Sequence, residues 1–333
     1  MPESAGARLS ELLAPTPRLA LVGLAKNTGK TETLAAILAE HARSGVRVGV
    51  TSIGRDGERH DVIDARIWKP ALRLQAGDLV ASTAALVRAS GVAHELLERT
   101  NMRTPLGEVV IARLQEEGAL EVAGPSAAAD VRVVSETMME LGAAQVLIDG
   151  AADRRAASSP AVADGLVMAT GAVLGEEIGQ VVAATVDAVE LVKLPLAADG
   201  RDGVTLGREI VLGGGPGDIA AALADHPRAN TFRVDGALSE RFLEGLLASR
   251  RQRGGRELRI IAEDPTHVFL AHRGAGWYRR QGISIEVLRS IELKAITVNP
   301  VAPQSHSFDS ATLRAAVAEA VGDVPVLDVR DPG

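Results

Sequence analysis

The nine residues Gly23-Leu24-Ala25-Lys26-Asn27-Thr28-Gly29-Lys30-Thr31 constrain this chain more than any other segment. They follow an apolar run, residues 18–24, and precede an Ala-rich stretch, 31–44, whose apolar spacing predicts a helix. A glycine-rich turn between strand and helix, closed by Lys and Thr, is an arrangement that cradles phosphate. Backbone amides of the turn and the free amides of the helix start form an anion nest, so Lys26, Asn27, Thr28, Gly29, Lys30 and Thr31 are the candidate nucleotide-binding residues. Lys30 reaches the β- and γ-phosphates, and the Thr31 hydroxyl ligates Mg²⁺. The competing reading is a helix N-cap with a chance lysine. Lysine usage weighs against it: the chain has five, at 26, 30, 69, 193 and 294, and two lie in this loop. A compact ammonium among phosphates is a physical reason for Lys where Arg is used nearly everywhere else.

The surrounding pattern predicts an α/β fold. Short β-branched or Leu-rich runs (18–24, 46–52, 120–123, 145–149, 166–170) read as strands, and 31–44, 78–89 and 127–141 as helices, giving a mainly parallel sheet covered on both faces. At 333 residues the chain is about twice the usual domain size of roughly 150, so two domains are expected. Residues 191–216 are rich in Gly and Asp with little periodicity, which sets a boundary near 205. The expected division is 1–204, a P-loop nucleotide-binding domain, followed by 205–333, a smaller α/β companion domain. In the latter, strands are expected at 231–234, 258–263, 293–299 and 324–329, and helices at 238–249 and 310–321.

A carboxylate at the end of a neighbouring buried strand is needed to hold Mg²⁺, directly or through water. Gln145-Val146-Leu147-Ile148-Asp149-Gly150 supplies one, in the form of a Walker B strand, although Asp149 also suits the opening of a turn. The segment Ser52-Ile53-Gly54-Arg55-Asp56-Gly57-Glu58 ends the second strand, at the sheet edge where open α/β folds bind ligands. Asp56 is thus a further metal and catalytic candidate beside Lys30 and Asp149, with Glu58 near it and Arg55 toward phosphate; an acidic turn with a salt bridge explains these residues equally well. His60, Asp61 and Asp64 have ligand chemistry but read as a solvated turn. Gly124-Pro125-Ser126 suits a substrate anion at a helix start, with Ser126 as a plain N-cap the default. Met138-Met139 reads as helix core. Arg154 and Arg155, after Asp149, suit charge on a transferring phosphoryl group or simple solvation.

Composition narrows the classes. Aromatics are 2% of the chain, so a core of Ala, Val, Leu and Ile is expected and stacking platforms for nucleic acid are not. A net charge of −7 has the wrong sign for neutralising a duplex. No cysteine is present, which removes disulfides, iron–sulfur clusters, thiolate zinc and Cys nucleophiles together. The first apolar run is far too short to span a bilayer. A cytoplasmic protein without nucleic-acid or membrane partners is the expectation, and self-association as a homo-oligomer stays open.

Five residues, not the usual four, separate Gly23 from Gly29. That lengthened loop resembles the dethiobiotin synthetase and cobyrinate amidase group of P-loop proteins. Lys69-Pro70 is similar to the Lys-Pro pair after the second strand of dethiobiotin synthetase, where the lysine meets substrate, but lies some fifteen residues later. Taken with Ile53 to Glu58, Asp149-Gly150-Ala151, Arg154-Arg155, Ser159-Pro160, Asp164-Gly165, Ala169-Thr170-Gly171-Ala172, Val234 to Leu238 and Ile296-Thr297-Val298-Asn299-Pro300, the loop is similar to the nucleotide-binding subunit of the B12-dependent lysine 5,6-aminomutase reactivation system. The resemblance implies an ATP- and Mg²⁺-dependent ATPase subunit that works with a MutS-like ATPase subunit to exchange damaged cobalamin from the aminomutase, a reactivating chaperone. The residues alone equally suit an ATP-dependent ligase or kinase acting on a small carboxylate, or a non-hydrolysing nucleotide sensor. A guanine-reading Asn-Lys-x-Asp is not evident, which tilts the base toward adenine.

Overall fold

The computed structural model describes residues 5–14, 16–53, 71–150, 158–198, 203–252, 254–303 and 305–330. The chain divides into two compact units, Met1–Thr185 with Glu292–Gly333, and Val186–Ile291.

The first unit opens with α1 (Ala5–Leu13) and β1 (Arg18–Gly23), followed by α2 (Lys30–Ser44) and β2 (Val48–Ser52). Next come β3 (Leu72–Leu74), β4 (Leu79–Thr83), α3 (Ala84–Ala89), and the hairpin of β5 (His94–Thr104) and β6 (Gly107–Leu114). The series continues through β7 (Gly118–Leu120), α4 (Ala128–Glu140), β8 (Gln145–Asp149), β9 (Gly165–Gly171) and α5 (Ile178–Val192), in which the division between units falls. The second unit holds β10 (Val204–Leu206), α6 (Pro216–Ala224), β11 (Thr231–Val234), β12 (Leu238–Ser239), α7 (Glu240–Gln252), β13 (Leu258–Ala262), β14 (Val268–Phe269), α8 (Ala275–Arg280) and β15 (Ile283–Val287). The chain then returns to the first unit with β16 (Glu292–Asn299), α9 (Ser310–Val321) and β17 (Val326–Leu327).

One nine-stranded sheet, ordered β17-β16-β9-β1-β8-β2-β4-β6-β5, organises the first unit. It is parallel from β17 to β4, and antiparallel where β6 joins β4 and β5 joins β6. Central strands buried on both faces read as continuous apolar runs; all six residues of β1 are buried. Leu9 and Leu13 of α1 and Leu34, Ile37 and Leu38 of α2 cluster with Leu19, Leu21, Val50, Leu147 and Val167 of the sheet. Each such Leu contributes about 1.5–3 kcal/mol by leaving water, so α2 is held to β1 by its buried face.

The second unit has its own parallel sheet, β10-β11-β13-β15, and β12 pairs with β14 beside it. Its core includes Phe232, Phe242 and Tyr278, all nearly inaccessible, so the expectation of a purely aliphatic interior holds only for the first unit's cluster.

Several boundaries differ from expectation for identifiable reasons. The helix expected at 78–89 is a strand, β4, followed by the short α3. All five β4 residues are buried, and a short apolar run buried all round does not distinguish helix from strand. The strand expected at 120–123 is instead β7 at 118–120, paired antiparallel with β3. The second unit begins at Val186 rather than near 205, and residues 292–333 do not belong to a companion domain: β16 pairs with β9 through seven register partners. The smaller unit is therefore inserted into the larger one, not appended to it. Among the described residues no helix is long and apolar enough to cross a membrane.

Candidate phosphate-binding site

The loop after β1 is shaped by close backbone approaches. A Cβ on Gly23 would lie 2.5 Å from Thr28 Oγ1, so the absence of a side chain there lets Thr28 fold beneath the turn. Its hydroxyl donates to Ala25 O at 2.9 Å, and the Leu24 amide donates to Ala169 O at 3.0 Å, which ties the loop's first residue to β9. Asn27 and Gly29 turn the chain through left-handed backbone, φ 67° and 89°, a region that Asn tolerates and Gly adopts freely. Gly29 caps α2 without a side-chain bond, and its carbonyl receives both the Thr33 amide at 2.9 Å and the Thr33 hydroxyl at 3.0 Å. The amides of Lys30, Thr31 and Glu32 consequently have no acceptor within the helix. Together with the partial positive charge of the helix start they favour an anion at the turn.

Asp149 closes β8 level with Leu21 of β1 and Ser52 of β2. The chain crosses from β1 to β2 on one side and from β8 to β9 on the other, so these strand ends lie at the carboxyl edge near the reversal of strand order, where open α/β sheets take ligands. Backbone bonds fix the strand ends to each other: Ile53 N donates to Asp149 O at 3.2 Å and Gly150 N to Leu21 O at 2.9 Å. Lys30 Nζ donates to Asp149 Oδ1, with the two side chains 18% and 27% exposed. The cation expected to meet phosphate and the carboxylate expected to meet metal thus face each other at a partly open rim.

The other loop residues occupy distinct places. Lys26 and Asn27 are exposed, Thr28 and Gly29 buried, and Thr31 half-buried in the first turn of α2. Asp56 lies outside the described residues, as do Arg55, Glu58, His60, Asp61, Asp64, Lys69, Arg154 and Arg155. Gly124-Pro125-Ser126 is not a free anion turn: the Gly124 amide donates to Ser52 Oγ at 2.9 Å, and a Cβ there would lie 2.2 Å from Ser52 O. Ser126 is not the cap of α4; that position is Ala127, without a side-chain bond. Met138 is buried on the inner face of α4.

Two further contributors, Asn299 and Arg330, are not singled out as site residues by the sequence. Asn299, at the carboxyl end of β16, donates from Nδ2 to Asn27 O at 3.0 Å, and its Oδ1 receives Arg330 Nη2 at 2.7 Å. What the sequence does show is a buried apolar strand ending in Asn-Pro, a polar terminus at the same sheet edge as Gly23 and Asp149.

Among the described residues no group of three or more His, Asp or Glu is placed to hold a metal ion. The Asp149 carboxylate and the Thr31 hydroxyl beside this glycine turn nevertheless have the chemistry of Mg²⁺ ligands, since Mg²⁺ keeps several waters and takes one or two protein oxygens. Comparisons with protein families, with curated proteins and with solved structures find no match to this chain.

Proposed function

We propose that the first unit binds a Mg²⁺–nucleoside triphosphate, ATP in preference, and hydrolyses it. The observation that carries this reading is the meeting of Lys30 with Asp149 at the carboxyl edge of the sheet, beside a glycine-capped helix start. Lys30, beside the Asp149 carboxylate, would bind and orient the β- and γ-phosphate oxygens. The amides of the turn and of the first α2 residues hold the remaining phosphate charge without reorganising. Asp149 and Thr31 would hold Mg²⁺, which when bound neutralises charge on the phosphate oxygens. Asp56 is proposed as a further ligand from the segment after β2. The resemblance to the aminomutase reactivation subunit supports extending the proposal to a chaperone role, in which turnover drives rearrangement of a B12-dependent aminomutase together with a MutS-like ATPase subunit.

Phosphate release from ATP with Mg²⁺ tests both levels. Lys30→Ala is expected to abolish nucleotide binding with the thermal midpoint lowered little, since Lys30 is at the rim rather than in the core; unchanged affinity overturns the nucleotide reading. Turnover raised by purified aminomutase supports the chaperone role. Stimulation confined to one small carboxylate replaces it with a ligase or kinase, and tight binding without turnover replaces it with a sensor.

A further inference from the structure

We propose that Asn299 is a positioning residue for the nucleotide loop, held in its working orientation by Arg330, so that residues after the inserted unit set how well the loop grips phosphate. The inference rests on the reading of Gly23 to Thr31 as a phosphate loop and adds to it a determinant on the opposite flank, 272 residues away in sequence.

The geometry is specific. Asn299 offers one donor group and one carbonyl oxygen, and both are used in opposite directions. Nδ2 donates to the carbonyl of Asn27, the loop residue in left-handed backbone. Oδ1 receives two donors, the Val301 amide at 3.1 Å and Arg330 Nη2 at 2.7 Å. A flipped amide would set NH₂ against two donors and oxygen against a carbonyl, so the network itself fixes the orientation. Arg330 is in turn anchored: its amide donates to Asp328 Oδ1 at 3.0 Å, and Asp328, 4% exposed, also accepts from Ser310 Oγ at 2.5 Å.

Two glycines make room for this side chain. A Cβ on Gly29 would lie 2.9 Å from Asn299 Cβ, and one on Gly171 would lie 2.4 Å from Asn299 O and 2.9 Å from Asn299 Cβ. The loop and the end of β9 therefore close on Asn299, the last residue of β16, from separate directions. A second tie lies deeper, where Thr33 Oγ1 of α2 and Thr297 Oγ1 of β16 sit 2.7 Å apart. By turning the Asn27 carbonyl toward β16, Asn299 fixes the peptide plane that carries the Thr28 amide, and so the direction in which that amide points. An anion nest depends on several amides converging, and loss of one fixed plane weakens every phosphate contact together.

The test compares wild-type full-length protein with Asn299→Ala, Asn299→Asp, Arg330→Ala, Arg330→Lys, the double variant Asn299→Ala/Arg330→Ala, and Lys30→Ala, by calorimetric titration with Mg-ATP, Mg-GTP and inorganic tripolyphosphate. Loss of one positioning hydrogen bond is expected to weaken all three by a similar factor, about tenfold. Asn299→Asp, which keeps the shape and the acceptor but lacks the donor, is expected to be at least as weak as Asn299→Ala. Arg330→Ala should show a smaller loss that Arg330→Lys recovers, and the double variant should be no weaker than Asn299→Ala, because both residues act through one bond. If Asn299→Ala does not fold, the Arg330 pair carries the same comparison. Weakened ATP with unchanged tripolyphosphate would overturn the inference in favour of a direct contact to the base. Wild-type affinity in Asn299→Ala and Arg330→Ala, with binding lost in Lys30→Ala, would overturn it while leaving the phosphate loop intact. No binding of tripolyphosphate or nucleotide by the wild type would overturn both.

Discussion

Gly29 and Gly45 both have left-handed backbone, at the two ends of α2, but in different surroundings. At Gly45, φ 69°, a Cβ would meet nothing within 4 Å; at Gly29, φ 89°, it would press on Asn299. Gly45→Ala therefore adds only backbone strain, about 1 kcal/mol. Gly29→Ala adds a steric clash to that strain and is expected to cost about 2–3 kcal/mol, with loss of nucleotide affinity that Gly45→Ala does not share. Urea unfolding midpoints of the two variants check the order; equal midpoints would show that the loop yields freely around Asn299. The same contrast explains what the sequence discloses at this scale. The glycine turn that starts α2 and the carboxylate that ends β8 are legible because a glycine before a helical run and an Asp closing an apolar run are local signals. Asn299 and Arg330 act through partners remote in sequence, and no spacing rule connects them to residue 27.

At the scale of elements, the amino end of the sheet is tied by charge. Arg18, which opens β1 and is 7% exposed, bonds Asp164 just before β9 through Nε at 2.9 Å and Nη2 at 2.6 Å, and reaches Glu136 of α4 at 3.3 Å. The hydrogen bonds from Arg18 hold the Asp164 carboxyl below its ordinary pKa, against the opposing effect of burial. A carboxylate with a lowered folded pKa contributes stability that is complete above its ordinary unfolded value and is lost as pH falls through the folded one. Asp164→Asn is therefore expected to destabilise the protein near neutrality by about 1–2 kcal/mol, less than a fully enclosed pair because Asp164 is open to solvent. The deficit should shrink as pH falls below the ordinary carboxylate range, in denaturation midpoints measured across that interval. A deficit that does not change with pH would mean that Asp164 acts by packing alone.

Element types were legible where period and length agreed. The helix expected at 310–321 is α9 and the strand expected at 145–149 is β8. The hairpin of β5 and β6 was not, because β5 is largely exposed and gives no clean alternation of buried and open positions. Its two register shifts and its charges, Glu95, Glu98, Arg99 and Arg103, are the features by which an edge strand resists pairing with another chain.

The insertion of one unit into the other governs the molecule as a whole. The division was not legible because the Gly-rich stretch near 213–217 lies inside the second unit, while its actual ends, at 186 and 291, fall within α5 and just before β16, without a glycine-rich linker. The inserted unit has a separate core that includes Leu206, Phe232, Leu246, Ile260 and Ile285. A fragment of residues 178–291, beginning with the whole of α5, is expected to unfold in a single cooperative thermal transition; a broad, non-cooperative melt would show that it needs the larger unit. Insertion also has a consequence in time. During synthesis β9 emerges well before β16, its partner, with about a hundred residues of the inserted unit made in between. At ordinary elongation rates the apolar edge of β9 then waits roughly 5–20 s on the ribosome, and the turn around Asn27 waits as long for Asn299. A translating chain would thus present an open strand edge and a loop not yet tied at Asn27 together, and one late event, the docking of β16, would end both.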